Sequence, residues 1–194
     1  MKNFHDLVLK ARSCRRFREG EAVSADILET LLDVVRCAPS SINLQPLRYA
    51  YSVSPEINER IFPHLRWAVL LKDWPGPAEG ERPAAYIIIG GTGPDGKHRQ
   101  ADLGVAGQII QLGLACAGLG CCMLANIDAG DIHSIVGFPE DISVLLVLAV
   151  GVPAESICLD ELQEGQGTAY WRDDAGRHHV PKRSLESVLL ARFR

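Results

Sequence analysis

Apolar residues recur at helical spacing in three parts of the chain. Near the start, Phe4, Leu7 and Val8 form one side of a short amphipathic segment. A second helix is predicted over residues 25–37, with Ser24 as its N-cap. Its apolar face consists of Ile27, Leu28, Leu31, Leu32 and Val35. Residues 103–117 are apolar on all sides, which predicts a central, fully buried helix.

Continuous apolar runs of strand length predict a central sheet. They cover residues 47–53, 85–89 and 144–150, and a shorter run follows Gly118-Leu119-Gly120. Residues 144–150 do not alternate with polar residues, so we expect this strand to be buried on both faces. A helix capped by Asp128 is predicted just before it. The sequence therefore predicts a sheet sandwiched by helices.

The C-terminal part and one internal segment have a different pattern. Residues 168–171 and 178–180 flank the turn-forming residues 173–176, which predicts a hairpin, and a last helix is expected after Ser184. Residues 72–77 contain prolines and a glycine that forbid regular structure, which predicts an ordered surface excursion. The segment around Trp67 and Trp74 is a candidate lid over a substrate, the alternative being that both tryptophans are core or interface residues.

Composition narrows the class of protein and its partners. With 194 residues, 47% hydrophobic and 23% charged, the chain fits one folded domain. The net charge of −4 and the lack of long like-charge runs argue against nucleic acid and anionic membranes, so a small-molecule partner is expected. The opening residues do not resemble a signal peptide, and no apolar run approaches about 18 residues. We therefore expect a cytoplasmic protein.

Six cysteines occur without a paired C-x-x-C arrangement. They are Cys14, Cys37, Cys116, Cys121, Cys122 and Cys158. Most lie in apolar runs, and free cysteine behaves as a small hydrophobe, so buried free thiols are expected.

Two short segments carry candidate binding chemistry. The sequence RSCRR at residues 12–16 offers guanidinium groups and a hydroxyl that suit a phosphate monoester, although three arginines in five residues also describe a solvated surface. The sequence PSSINLQP at residues 39–46 places two hydroxyls and two carboxamides in a loop between prolines. Such groups suit the mixed polar edge of a flavin or nucleobase, and equally an ordinary turn.

Other motifs are weaker. Residues 91–98 match the phosphate-binding G-x-x-x-x-G-K pattern until His98 stands where a Ser or Thr would hold magnesium. His178 and His179 lie near Asp173 and Asp174, but neighbouring strand residues point to opposite faces and cannot share one metal ion. We expect no metal site there. The sequence lacks the G-x-S-x-G nucleophile elbow of hydrolases and the H-E-x-x-H motif of zinc proteases. It also lacks a G-x-G-x-x-G motif followed by a suitably placed acidic residue, which argues against a Rossmann dinucleotide-binding function.

The order of these segments resembles the nitroreductase family. The resemblance rests on RSCRRF at residues 12–17 and APSSINLQP at residues 38–46, and continues through DLGVAGQ at 102–108 and GLGCCMLA at 118–125. Residues 74–77, 170–173 and 178–183 resemble a subgroup of short family members. Two positions differ from the usual family pattern. This chain has Ala11 where the family commonly has a basic residue, and Ala125 where the family usually has a glycine.

The resemblance implies an α+β fold with a mixed sheet flanked by helices, formed by a single domain over residues 1–194. It also implies an interlocked homodimer with FMN at the interface, and a C-terminal hairpin and tail (168–194) that pack on the partner or the flavin. The implied phosphate and ribityl contacts come from Arg12, Ser13, Cys14 and Arg15, joined by Lys182 or Arg183. The implied contacts to the flavin ring come from Pro39, Ser40, Ser41, Asn43 and Gln45 of the partner, and from backbone at Leu124 and Ala125.

The implied activity is a ping-pong oxidoreduction in which FMN takes hydride from NADH or NADPH and passes two electrons to a nitroaromatic, a quinone or a related electrophile. The flavin carries this chemistry, so no catalytic side chain is required. The alternatives are other flavin chemistry on the same fold, such as reductive dehalogenation or flavin fragmentation, and a flavin-binding sensor or storage module without turnover. A P-loop nucleotide-binding protein is the least favoured.

Overall fold

The computed structural model describes residues 1–194, which divide into two compact units. The large unit contains Met1–Trp67 and Pro75–Ala154. The small unit contains Ala68–Trp74 and Glu155–Arg194. The prediction of a single domain, with its tail on the partner or the flavin, stays a prediction.

The large unit is built on a four-stranded sheet in the order β1-β2-β4-β3. Its strands are β1 (Leu47–Ser52), β2 (Ala85–Gly91), β3 (Gly120–Leu124) and β4 (Ser143–Gly151). All three pairings are antiparallel. The four predicted strands are therefore confirmed, with boundaries that shift by one or two residues.

Helices cover both faces of this sheet. They are α1 (Lys2–Lys10), α2 (Ala25–Val35), α3 (Pro55–Ile61), α4 (Lys97–Cys116) and α5 (Ala129–Val136). Helices α2 and α4 contribute Leu28, Ile110 and Leu114 to one hydrophobic core with Ile87 and Leu148 of the central strands. Helices α3 and α5 contact β2 and β4 respectively. All seven residues of β2 are buried, which explains a continuous apolar run in an antiparallel sheet.

The predicted helices form, with two corrections. Helix α2 begins after Ser24 as predicted, but the Ser24 side chain makes no capping hydrogen bond, and neither does Asp128 before α5. Helix α4 is not fully buried, because Gly104, Val105 and Gln108 are exposed on one side of the chain. Non-polar residues of α4 therefore lie both on the side that packs in the core and on the side that is exposed in the single chain.

The small unit contains a three-stranded sheet in the order β5-β7-β6. Its elements are β5 (Ile157–Glu161), β6 (Trp171–Arg172), β7 (His178–Lys182) and the short helix α6 (Leu185–Val188). Strands β6 and β7 pair antiparallel, which confirms the predicted hairpin, whereas β5 pairs parallel to β7 and was not predicted. This sheet is therefore mixed, whereas the sheet of the large unit is antiparallel throughout.

All six cysteines are free, as expected, but only half of them are buried. Cys14, Cys121 and Cys122 are buried, Cys158 is half-buried, and Cys37 and Cys116 are exposed. The prediction of buried thiols is therefore wrong for Cys37 and Cys116, which lie at or just beyond the ends of their helices. None of the helices combines the length and the apolar character needed to cross a membrane.

Candidate functional site

The arginine-rich segment at residues 12–17 runs along the edge of the large sheet. Ser13 forms a parallel bridge with Cys121 of β3, and the Cys14 N–H donates to the Cys121 carbonyl at 2.9 Å. Cys14 and Phe17 are buried, while Arg15 and Arg16 between them stay partly accessible. A contact from Cys14 to a ligand would therefore come from its backbone.

The three arginines of this segment are half-buried and differ in what they contact. The Arg16 Nε lies 3.2 Å from a Glu81 carboxylate oxygen. The Arg15 Nη1 donates to the Ser13 carbonyl at 3.4 Å. The Nε atoms of all three are buried without a hydrogen-bond partner, but only the Arg12 side chain makes no hydrogen bond or ion pair through any of its nitrogens. A buried guanidinium N–H without a partner is costly, so Arg12 is the arginine best suited to an anionic ligand.

The loop at residues 39–46 contains a short 3-10 turn, Ser41–Asn43, with an unusual backbone. Ile42, Asn43 and Gln45 have φ values of 45°, 57° and 49°, in the left-handed region. This conformation is strained for a β-branched residue such as Ile42. The Ile42 and Leu44 side chains are 80% and 56% exposed. Strained backbone with exposed apolar side chains is typical of a binding segment rather than an ordinary turn.

Asp102 in α4 holds this loop in place. Its carboxylate accepts a hydrogen bond from the Ser40 hydroxyl at 2.5 Å and from the Ser41 N–H at 2.8 Å. The Gln45 N–H in turn donates to the Ser40 hydroxyl oxygen at 2.8 Å. Burial of Asp102 opposes its ionisation, but the hydrogen bonds from Ser40 and Ser41 outweigh it and lower the pKa of the carboxyl. Asp102 is therefore a charged anchor for the loop.

A pocket of about 280 Å³, which we call the loop pocket, lies between this loop and α4. Pro39, Ser40 and Gln45 line it together with Tyr49 and Val105. Burial, and next the charge of Asp102, raise the pKa of Tyr49, so its phenol is neutral at physiological pH. Three of the predicted flavin-contacting residues thus share one cavity.

The other predicted contacts lie elsewhere in the chain. Leu124 is buried at the end of β3, and Ala125 follows it as an exposed residue. Lys182 and Arg183 are exposed in the small unit. None of the predicted residues from the 12–15 segment lines the loop pocket. The complete set of predicted cofactor-binding residues stays a prediction.

The weaker motifs are explained by other contacts. In the turn at residues 91–98, the Arg99 Nη1 donates to the Gly93 carbonyl at 2.7 Å and Nη2 lies 3.2 Å from Asp95. The Arg99 guanidinium therefore already contacts the groups of this turn. His178 is buried, whereas the His179 ring lies between the carboxylates of Asp160 and Asp173, so the two histidines do have separate environments.

One ligand-type cluster was not found from the sequence. The His64 Nδ1 lies 3.5 Å from carboxylate oxygens of both Asp128 and Asp131. The Arg66 Nη2 contacts the same Asp128 oxygen at 2.8 Å. Arg66 already neutralises part of the charge that a metal ion would neutralise, so the cluster is accounted for as an ion-pair network. Trp67 is buried against Phe62 and Gly76, which favours a core role for this residue.

The fold is similar to those of solved structures described as nitroreductases. A nitroreductase family protein from Clostridium novyi NT superposes with a TM-score of 0.65 at 22% identity, covering 77% of this chain and 84% of that one. Nitroreductase A from Vibrio parahaemolyticus gives 0.62 at 20% identity, with 80% and 70% covered. The FMN and NADPH-dependent nitroreductase NfnB from Sphigopyxis sp. strain HMH gives 0.61 at 15% identity, with 77% and 88% covered.

The sequence itself identifies the family. Residues 8–152 match the model of the Nitroreductase family, which is most of the chain. The protein therefore belongs to the nitroreductase family, and its α+β fold is the nitroreductase-like fold. The match includes both the 12–17 segment and the 39–46 loop.

Proposed function

We propose that this protein is an FMN-dependent oxidoreductase that uses NADH or NADPH. The observation that carries the proposal is the half-buried Arg12 side chain, which makes no ion pair or hydrogen bond within the chain and lies on a segment that belongs to the family match. Membership of the nitroreductase family supports the cofactor, as does the similarity to a nitroreductase described as FMN and NADPH-dependent. The conclusion for this chain rests on its own donor groups.

These donor groups fit the parts of FMN. Arg12, Ser13 and Arg15 would hold the phosphate and ribityl end, because guanidinium and hydroxyl donors form charge-assisted hydrogen bonds with phosphate oxygens. Lys182 or Arg183 would add a further cation. Asn43 and Gln45 would bind the polar edge of the flavin ring, since a carboxamide both donates and accepts.

FMN, when bound, supplies the redox chemistry, accepting two electrons from NAD(P)H and delivering them to a nitroaromatic, a quinone or a related acceptor in a ping-pong cycle. The chain has to bind the cofactor, orient it and leave one side accessible. Asp102 contributes by fixing Ser40 and Ser41, which sets the position of Asn43 and Gln45. Asp102 is therefore a positioning residue.

We also propose that the protein is a homodimer with its FMN sites at the subunit interface. Val105 on α4, and Ile42 and Leu44 on the loop, expose apolar surface in the single chain. Burial of such side chains against a second copy would stabilise the assembly. Sedimentation velocity is expected to give twice the mass of the chain, and a monomer that retains FMN would contradict this part of the proposal.

The first experiment is a visible absorbance spectrum of the purified protein, before and after anaerobic addition of NADH or NADPH. Flavin bands that bleach on addition would support the reductase. Flavin bands that persist would favour the sensor or storage module, or flavin chemistry that does not use nicotinamide. Lack of flavin bands after FMN is supplied would contradict the proposal.

Replacement of Arg12 tests the predicted phosphate contact. Arg12→Met keeps the apolar stem and removes the guanidinium, so we expect FMN to bind about 10- to 100-fold more weakly. Arg18→Met is the matched control, because Arg18 is exposed and contacts only Glu21 through its side chain. Quenching of FMN fluorescence during titration measures both variants. Equal affinities for the two variants would remove Arg12 from the site.

A further inference from the structure

The large unit has a second pocket, at the opposite end of the sheet from the 39–46 loop. The loop leads into Leu47, which pairs with Gly91, whereas this pocket lies near Ser52 and Tyr86, at the other end of the same pair of strands. At about 3.3 Å per residue, the six residues of β1 separate the two ends by about 17 Å. None of the predicted cofactor-binding residues lines it. We call it the Tyr86 pocket.

The Tyr86 pocket has a volume of about 260 Å³ and a largely apolar wall. The wall includes Val23, Val53, Pro55, Phe62 and Pro83. Small-molecule sites are commonly about 300 to 1,000 Å³ and combine such walls with a few convergent polar groups. The volume is therefore suited to a ligand with a single ring.

Three polar groups that line this pocket have unused hydrogen-bonding capacity. The Asn58 amide nitrogen donates to the Ala84 carbonyl at 2.8 Å, but its Oδ1 has no partner, and the residue is 8% exposed. The Arg82 side chain makes no ion pair or hydrogen bond within the chain, its Nε is buried, and its guanidinium lies 4.6 Å from the centroid of the Phe62 ring. The Tyr86 hydroxyl makes no hydrogen bond either, on a residue that is 1% exposed.

The charges around the pocket decide the class of ligand. Glu19 and Glu59 carry two negative charges against the single positive charge of Arg82, which disfavours an anionic ligand. Burial raises the pKa of Tyr86 well above its ordinary value, despite the nearby Arg82 charge, so the phenol is a neutral donor. A neutral ligand whose carbonyl accepts from both Arg82 and Tyr86, and whose N–H donates to the Asn58 oxygen, would use all three groups.

We propose that the Tyr86 pocket binds a small, neutral, planar molecule with an amide edge, such as an aromatic carboxamide. The ring packs against the apolar wall, the amide carbonyl accepts from both Arg82 and Tyr86, and the amide N–H donates to the Asn58 oxygen. This site is separate from the proposed FMN site and does not require the cofactor.

Calorimetric titration with benzamide tests the proposal, using the protein both free of FMN and loaded with it. We expect binding in the millimolar range or tighter in both forms. Acetophenone has the same ring and carbonyl but lacks the N–H, and benzoate is an anion, so both should bind more weakly. Absence of benzamide binding to the FMN-free protein, or binding only to the FMN-loaded form, would overturn the proposal.

Two variants locate the binding. Tyr86→Phe removes a hydroxyl that makes no hydrogen bond in the chain, and Arg82→Met removes a guanidinium that forms no ion pair, so both should fold. Each should weaken benzamide binding by about three- to tenfold. Tyr51→Phe, which loses a hydrogen bond to Glu29 outside the pocket, is the control and should leave the affinity unchanged. Affinity that is the same in all three variants would exclude the pocket.

Discussion

The large and small units are stabilised by different interactions. In the large unit, the central strands are buried on both faces, and side chains such as Ile87 and Leu148 are fully inaccessible. In the small unit, Ala68 and His178 are the only buried residues. Its sheet depends instead on polar contacts, among them the ion pair between Arg172 and Glu155 at 2.9 Å.

This difference has consequences for stability. Burial of apolar surface is insensitive to pH and weakly sensitive to salt, whereas ion pairs depend on both. Segments with few buried apolar contacts open locally at lower free energy than a hydrophobic core. We therefore expect the small unit to open first, under conditions that leave the large unit folded.

Removal of one core side chain should have the largest effect. Leu148→Ala leaves a cavity in the centre of β4, and we expect the free energy of unfolding to fall by about 2 to 5 kcal/mol. Leu159→Ala in β5 is the matched control, since Leu159 is 36% exposed and should cost less than about 1 kcal/mol. Urea unfolding followed by circular dichroism measures both. Similar losses would contradict the contrast between the units.

The buried ion pair of the small unit should give the next largest effect. The Glu155 side chain is 1% exposed, so Arg172→Met leaves its carboxylate buried without this partner. We expect the opening free energy of the small unit to fall by up to about 3 kcal/mol. Amide hydrogen exchange in β6 and β7 measures it, and β2 should stay protected. Equal loss of protection in both sheets would show that the units unfold together.

The two helix caps provide a smaller test. The Ser54 hydroxyl accepts from the Ile57 N–H at the start of α3, and the Ser184 hydroxyl accepts from the Ser187 N–H at the start of α6. Ser54→Ala should lower the free energy of unfolding by about 1 kcal/mol. Ser184→Ala should leave it unchanged in the same urea experiment, because α6 has no buried residues. A larger effect from Ser184→Ala would contradict the assignment of stability to the large unit.

The same contrast explains how much of the fold could be predicted from the sequence. In the large unit, apolar periodicity predicted the strands and helices because local pattern and burial agree there. In the small unit, the hairpin was predicted from its turn residues, but β5 was missed, since its parallel pairing with β7 is a non-local contact. The exposed side of α4 was also missed, because apolar residues facing a surface have the same pattern as buried ones.

The candidate site was predicted as segments rather than as geometry. Both candidate binding segments were identified from residue types in the correct order, and both lie within the residues that match the family. The role of Asp102 was missed because its hydrogen bonds join residues about 60 positions apart in sequence. The strained backbone at Ile42 was also missed, because no local sequence pattern encodes it. The one sequence signal for Asp102 was its position at the start of the motif DLGVAGQ.

The smallest expected effect is a pH dependence confined to the small unit. The His179 ring nitrogens lie 2.9 Å from a carboxylate oxygen of Asp160 in β5 and 3.2 Å from one of Asp173 in the turn. The ring also stacks on Trp171, with centroids 4.1 Å apart, and Asp173 contacts Arg177. The hydrogen bond with Asp173, reinforced by Asp160, raises the pKa of His179 despite its partial burial.

Since the pKa of His179 is raised in the folded state, its contribution to stability is complete below the ordinary histidine pKa of about 6.5 and is lost as pH rises through the folded value. Protection of the β7 amides, corrected for intrinsic exchange, should therefore fall over this window, while that of β2 stays constant. His179→Gln should remove the step. A step that persists in His179→Gln, or protection that increases with pH, would assign the titration to another group. The loss should be small, because the pair of carboxylates is partly exposed to solvent, which screens the interaction.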